Sequence, residues 1–178
     1  VKCKLIHVLV RTQLILNKYG ICGVVLQTKA KYVLLPSTRW DIGRLWLQMR
    51  PSDIEEIRIS EAASGNNIYD NLCERVHLDY YFTLWRDDEI VAIGGITPST
   101  WTNKVGIIWL LGTHLADTHW RSMTRFCRSF IDASRSEYEG IGNYVPADAT
   151  KRIQWLSYLG FDINEQEAHI SDYRFRGF

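Results

Sequence analysis

The chain has no CxxC pair, no apolar run of 18 residues and no excess of charge of either sign. Each absence removes a class of function. The four cysteines, Cys3, Cys22, Cys73 and Cys127, are too far apart for a zinc ribbon or a dense disulfide framework, and they read as reduced thiols in a cytosolic setting. Without a long apolar run no membrane span is expected. A net charge of +1 gives neither the basic footprint of a nucleic-acid binder nor a polybasic membrane patch. Repeats, linkers and low-complexity tracts are missing too, and the first thirty residues lack the small-residue cleavage site of a signal peptide.

What is present fits one globular domain. The chain has 178 residues, 46% hydrophobic and 23% charged, which is ordinary for a folded core and unlike a disordered chain. Seven Trp and nine Tyr are many for this length and point to an aromatic-rich core or a contact surface.

The stretch from Lys104 to Asp132 organises the rest. Val105 to Leu111 is an apolar run of strand length with no polar face, the pattern of a strand buried on both sides within a sheet. The period then changes. Trp120, Met123, Phe126, Cys127, Phe130 and Ile131 recur at three and four residues, as on an amphipathic helix, and Asp117 is placed to cap it. A strand feeding a helix through a short loop leaves a polar hole at its carboxyl end, where sheet proteins bind phosphates and cofactors.

Around this unit the chain alternates. KLIHVLV and GVVLQ read as strands of an N-terminal extension over residues 1–30, an added strand pair outside a main domain that spans 31–178. Tyr32 to Leu35 reads as a strand, and Ser37 or Thr38 starts a helix. Ser52 with Glu55 reads as a capping box for the next helix, which Ser64-Gly65-Asn66-Asn67 ends before a short helix over Ile68 to Val76. Tyr80 to Trp85 and Ile90 to Ile96 form a hairpin around Asp87 and Asp88, with Gly94-Gly95 marking a bulge or a close backbone approach. Trp101 sits at the tip of the next loop. Past the long helix, Gly140 to Val145 is a strand, Thr150 to Leu159 a helix stopped by Gly160, and Ile163 to Ile170 with Tyr173 to Phe178 a closing strand pair.

This order resembles the GNAT acyltransferase fold over roughly Lys31 to Phe178. The best local match is Asn143-Tyr144-Val145 followed by RIQWLSYLGF, Arg152 to Phe161, which is similar to the fifth strand and fourth helix of GNAT proteins with their Leu-Gly-Phe ending. Together with WLLGTH, these segments also resemble a set of GNAT-like proteins of short-tailed bacteriophages, internal virion proteins among them. The resemblance implies an α/β (α+β) fold: a mixed, mostly antiparallel sheet, a central splayed parallel strand pair, and helices on both faces. It implies acetyl-CoA as cofactor, facing Leu110, Leu111, Gly112, Thr113, Arg121, Arg125 and Asn143.

The residues themselves argue against a working cofactor site. GNAT enzymes carry Arg/Gln-x-x-Gly-x-Gly/Ala after the fourth strand, glycines that let backbone N–H groups reach a pyrophosphate. Here Gly112 to His119 holds one glycine and places Asp117 where phosphate would sit, with Arg121 and Arg125 a turn apart to offset it. The family's general-acid tyrosine falls on Leu156, which has no proton to give, and Tyr158 two residues on points elsewhere. His114 and His119 are the nearby groups that titrate near neutral pH and the catalytic candidates; no metal is expected, because neither has a Cys or carboxylate in ligand spacing. Weak or absent acetyl-CoA binding is the expectation. The favoured reading is a virion-associated or assembly protein acting with other phage virion proteins, in the infected host's cytoplasm or the virion interior, with homo-oligomers allowed. The alternative is an active acetyl-CoA-dependent N-acetyltransferase acting on an amine of a protein or small molecule.

Overall fold

A computed structural model describes residues 12–16, 22–27, 31–77, 80–99, 104–135, 137–170 and 172–178. Strands β1 (Thr12–Leu16), β2 (Cys22–Gln27) and β3 (Lys31–Pro36) form an antiparallel meander. Helices α1 (Arg39–Gln48), α2 (Pro51–Ser64) and α3 (Ile68–Arg75) follow, then β4 (Tyr80–Arg86), β5 (Glu89–Pro98) and β6 (Val105–Gly112). A short α4 (His114–Thr118) leads into α5 (Trp120–Ser134). The chain then runs through β7 (Gly140–Gly142), β8 (Tyr144–Pro146), α6 (Thr150–Leu159), β9 (Glu167–Ile170) and β10 (Tyr173–Gly177).

Strands β1 to β7 make one sheet in chain order, and β8, β10 and β9 make a second. Among the described residues every pairing is antiparallel except β6 with β7. The expected fold class is therefore the observed one. Of the expected N-terminal strands GVVLQ is present within β2; its partner β1 is TQLIL, which the sequence pattern did not single out, and β2 hydrogen-bonds onto β3, so the pair continues the main sheet and does not stand outside it. The KLIHVLV segment, Cys3 and Trp101 lie outside the described residues.

Local chemistry sets the boundaries. Thr38 caps α1 and shares a reciprocal capping box with Asp41. Gly65 at φ 69° ends α2, and Gly160 at φ 95° ends α6; both take the left-handed conformation that glycine adopts without cost. The N-cap expected at Ser52 is corrected: α2 begins two residues earlier, with Arg50 as N-cap and Pro51 in its first turn. Asp117 is corrected as well. It lies within α4, which Thr113 caps, while His119 stands at the N-cap of α5 and makes no side-chain capping bond to that helix.

The sheet divides two apolar cores. On one face Ile42, Leu45, Ile57, Leu72, Tyr81 and Ile93 pack beneath α1–α3. On the other Leu34, Leu84, Ala92, Met123, Cys127 and Ile131 pack beneath α5 and α6. Strand β6 is internal, flanked by β5 and β7, but only its carboxyl end is buried on both faces: Val105 is 44% and Ile107 40% exposed. Gly94 forms no bulge; the register shift falls at Leu84/Trp85. It does meet β6 closely, since a Cβ there would stand 2.9 Å from the Trp109 carbonyl oxygen. Among the described residues no helix is long and apolar enough to cross a membrane.

Candidate functional site: the fork between β6 and β8

The strand expected over Gly140 to Val145 breaks at Asn143. Its first half pairs with β6 as far as Ile107↔Gly142, and its second half leaves to pair with β10. Asn143 holds the fork open by filling it: its side chain donates to the Ile108 carbonyl (2.8 Å), while its backbone exchanges bonds with Phe178 at 3.1 and 2.9 Å. Gly142 is required here, since a Cβ would lie 2.1 Å from the Phe178 carbonyl oxygen.

Alternation along β6 decides which backbone groups face the fork. Thr113 N–H points to β5, bonding the Val91 carbonyl, so Gly112, Leu110 and Ile108 turn theirs the other way. At Gly112 both groups are taken by protein. Its N–H donates to the Asp53 carboxylate at 2.7 Å, and its carbonyl accepts from the Arg50 N–H at 3.0 Å. The corner between α1 and α2 thus lies along the end of β6, and Met49 bridges Thr113.

Asp53 is 1% exposed and stands at the centre of a charge network. Arg50 Nε lies 2.9 Å from it, Arg152 reaches it at 3.4 Å, and Ser52 donates at 3.2 Å. Arg50 also pairs with Asp117 at 2.7 Å, and Arg152 with Glu56. Burial pulls the Arg50 pKa down, but Asp53 and then Asp117 more than offset it, so it stands above the ordinary value. For Arg152 burial wins, with Arg50's like charge adding to it, and its pKa is lowered.

The site residues expected from sequence are therefore distributed unevenly. Leu110, Gly112 and Asn143 line the fork, whereas Leu111 and Thr113 turn their backbone toward β5. The cation that offsets Asp117 is Arg50; Arg121 lies instead over the Trp120 ring (5.3 Å), and Arg125 is exposed. His114 is exposed on α4. His119 lies on the other side of β6, edge-on to Tyr32 and in hydrogen-bond contact with Arg86, whose N–H faces the ring's Nε2. Burial and then Arg86 lower its pKa, so it is neutral at pH 7 and accepts from Arg86. Leu156 is buried, and Tyr158 points outward beneath Arg128. Cys73 and Cys127 are free thiols, and burial pushes Cys127 up to about 12. Among the described residues no three His, Cys, Asp or Glu side chains gather as a metal site.

Arg50, Asp53 and Arg152 were the residues that sequence reasoning missed. The one local signal was Pro51, which favours the first turn of a helix and so places Asp53 inside it, facing the core.

Searched against protein-family models and against curated proteins, the sequence matches none. Solved structures do match. A probable acetyltransferase from Staphylococcus epidermidis aligns over 82% of this chain and 95% of its own, with TM-score 0.59 and 14% identity. The fold is that of the GNAT acetyltransferases. The ribosomal-protein-S5-alanine acetyltransferase from Vibrio fischeri aligns over 87% of this chain and 96% of its own, with TM-score 0.57 and 14% identity. The microcin C7 self-immunity acetyltransferase MccE, solved with acetyl-CoA and AMP, aligns over 83% of this chain and 91% of its own, at 0.57 and 14%. At such identities the likeness speaks for the GNAT fold alone.

Acetyl-CoA is the cofactor that this fold implies, and the residues at the fork do not fit it. A cofactor lying along β6 would need the backbone groups that Asn143, Asp53 and Arg50 already hold, and it would bring phosphates against Asp117.

Proposed function

We propose that this chain is a GNAT-fold protein with a degenerate acetyl-CoA site, serving a bacteriophage as a virion-associated or assembly protein. The observation that carries the loss of the cofactor site is the bond from Gly112 N–H to the buried Asp53 carboxylate. Opening that edge would strip a buried carboxylate of a donor and separate it from two guanidiniums, a cost that a weakly held cofactor does not offset. Leu156 in place of an acid adds a separate defect in chemistry. The phage role rests on the likeness of WLLGTH, NYV and RIQWLSYLGF to the phage set.

Calorimetric titration with acetyl-CoA tests the first half. No saturable heat is expected, and no transfer to polyamines or peptides above background. Micromolar affinity, or robust transfer to any amine, overturns it. Mass spectrometry of purified particles of the phage that carries the chain tests the second half; its absence from both particles and assembly intermediates overturns the virion role.

A second reading, an active N-acetyltransferase, is favoured by one feature. A cleft of about 420 Å³ lies between α2, the β8–α6 loop and the β9–β10 hairpin, lined by Glu55, Glu56, Asp148 and Asp172 against Arg152 and Arg174. Such a cleft suits a cationic amine, and the neighbours named above are acetyltransferases.

A further inference from the structure

Helix α1 carries on its outer side the two most exposed large apolar side chains among the described residues, Leu47 at 87% and Trp40 at 80%. They stand seven residues apart, two turns along one helix face and about 10 Å from each other along the axis. The charged groups of α1 are turned back onto its own fold. Arg39 donates to the Cys73 carbonyl at 2.8 Å, and the Asp41 carboxylate accepts from Thr38 and Thr83. Arg44 lies over the Trp85 ring (5.0 Å) and donates to the Asp88 carbonyl at 3.1 Å. Gly43 sits between Trp40 and Leu47, one turn from each. A glycine inside a helix loosens it, and the fold gives no reason for one here: a Cβ would meet only the Tyr69 hydroxyl, 3.8 Å away, which is ordinary contact. Such a glycine is accounted for by a backbone that comes close from outside.

We infer that α1 is the contact face of a dimer of this chain, in which two copies of the helix cross antiparallel at Gly43. The proposal goes beyond the reading above, since it uses no group of the fork and holds whether or not acetyl-CoA binds. A two-fold axis at Gly43 sets Trp40 of each copy against Leu47 of the other, so one spacing serves both halves of the contact. A parallel pairing would set tryptophan on tryptophan and leucine on leucine, where large against smaller packs better. With its guanidiniums turned away, the face carries no charge for a second copy to repel. The area suits a dimer as well. A buried aromatic side chain covers about 150–250 Å², so Trp40 and Leu47 together offer roughly 300 Å² per copy. Two copies bring roughly 600 Å², about half of the ~1,200 Å² at which specific interfaces begin, before the rim around Gly43 and Gln48 is counted.

Light scattering on the whole chain across a concentration series makes the test. The mass should rise from one copy toward two and stop there, because a two-fold contact closes on itself. A mass that stays at one copy into the hundreds of micromolar overturns the proposal, and so does one that climbs past two. Trp40→Ala and Leu47→Ala should each return the chain to one copy at concentrations where the unmodified protein is paired. Both positions are exposed, so the fold stands without them. Tyr158→Ala, exposed on α6 across the sheet, should leave the pairing unchanged; an equal loss there would mean general apolar adhesion and overturn the α1 face. Gly43→Ala separates docking from folding by its sign. Alanine favours the helix, so the thermal midpoint of the dilute, single-copy chain should rise. The added methyl meets the crossing backbone, so pairing should weaken about tenfold. Pairing that survives Gly43→Ala undiminished overturns the crossing at Gly43.

Discussion

At the end of β6, Gly112 has both backbone groups bonded by protein, and every charge around it is paired. A few residues earlier the same strand's Ile108 and Leu110 border a cavity of about 80 Å³. The difference follows from what each kind of group tolerates. A buried N–H or carboxylate without a partner costs its full desolvation, so the polar end is packed closed. A carbon wall that borders space forfeits only dispersion contacts, a smaller loss that the fold can carry. On the GNAT fold this closes the polar end of the fork and leaves room at the apolar one.

The most severe way to break that comparison is at Asp53. Asp53→Ala should cost about 3–5 kcal/mol, because it leaves the half-buried Arg50 and Arg152 facing each other without their shared carboxylate and the Gly112 N–H unpaired. Asp53→Asn keeps an acceptor for Gly112 and should cost less. Denaturant unfolding of both variants measures the difference. An Asp53→Ala loss below about 1 kcal/mol would mean that the network is solvated and the polar end not truly closed.

The network was illegible in the sequence for a physical reason. Asp53 meets a strand end 59 residues away, and no periodic pattern encodes that meeting. Local rules even favoured the wrong partners: Ser52 with Glu55 imitates a capping box, and Asp117 before an amphipathic helix imitates a cap. Pro51 in the first turn of α2 and the Thr113 cap of α4 set those starts instead, and Asp117 pairs with Arg50. Where the deciding interaction is local, the sequence was readable. Thr38 caps, Gly65 and Gly160 stop, and the stripe of Met123, Cys127 and Ile131 is buried as its period requires. Asn143 lies between. Its place in a strand was visible, but the break there depends on Phe178 and Ile108, which arrive from elsewhere in the chain.

A smaller effect sharpens the apolar half of the comparison. Leu156→Tyr sets a hydroxyl into the carbon wall of the cavity and should cost about 1–3 kcal/mol as an unpaired buried donor. It should also give no acetyl transfer, since the Gly112 edge stays closed. Stability and transfer assays on the one variant separate the two outcomes. Transfer gained with the edge intact would show that the closed polar end does not bar the cofactor. Smaller again, and of opposite sign, Ala92→Val adds carbon toward the cavity and should stabilise by about 0.5–2 kcal/mol. A loss instead would show that side chains beneath α5 have no slack.

The smallest expected effect lies at His119, which tests whether the polar half is tight beyond the fork. Its pKa is lowered by burial and by Arg86, with Glu89 opposing. The sign follows from linkage. Above the unfolded value of 6.5 the ring is neutral in both states and costs nothing. As pH falls below that value the unfolded chain takes up a proton that the folded ring resists, and stability declines until pH passes the folded pKa. His119→Gln keeps an acceptor for Arg86 and removes the titration, so its stability should be flatter than that of the unmodified chain in the window just below 6.5. The two should converge in slope above it. Urea midpoints taken across that range make the comparison. Parallel curves would mean that water reaches the ring as freely as it reaches exposed His114, and that close packing of the polar groups ends at Asp117.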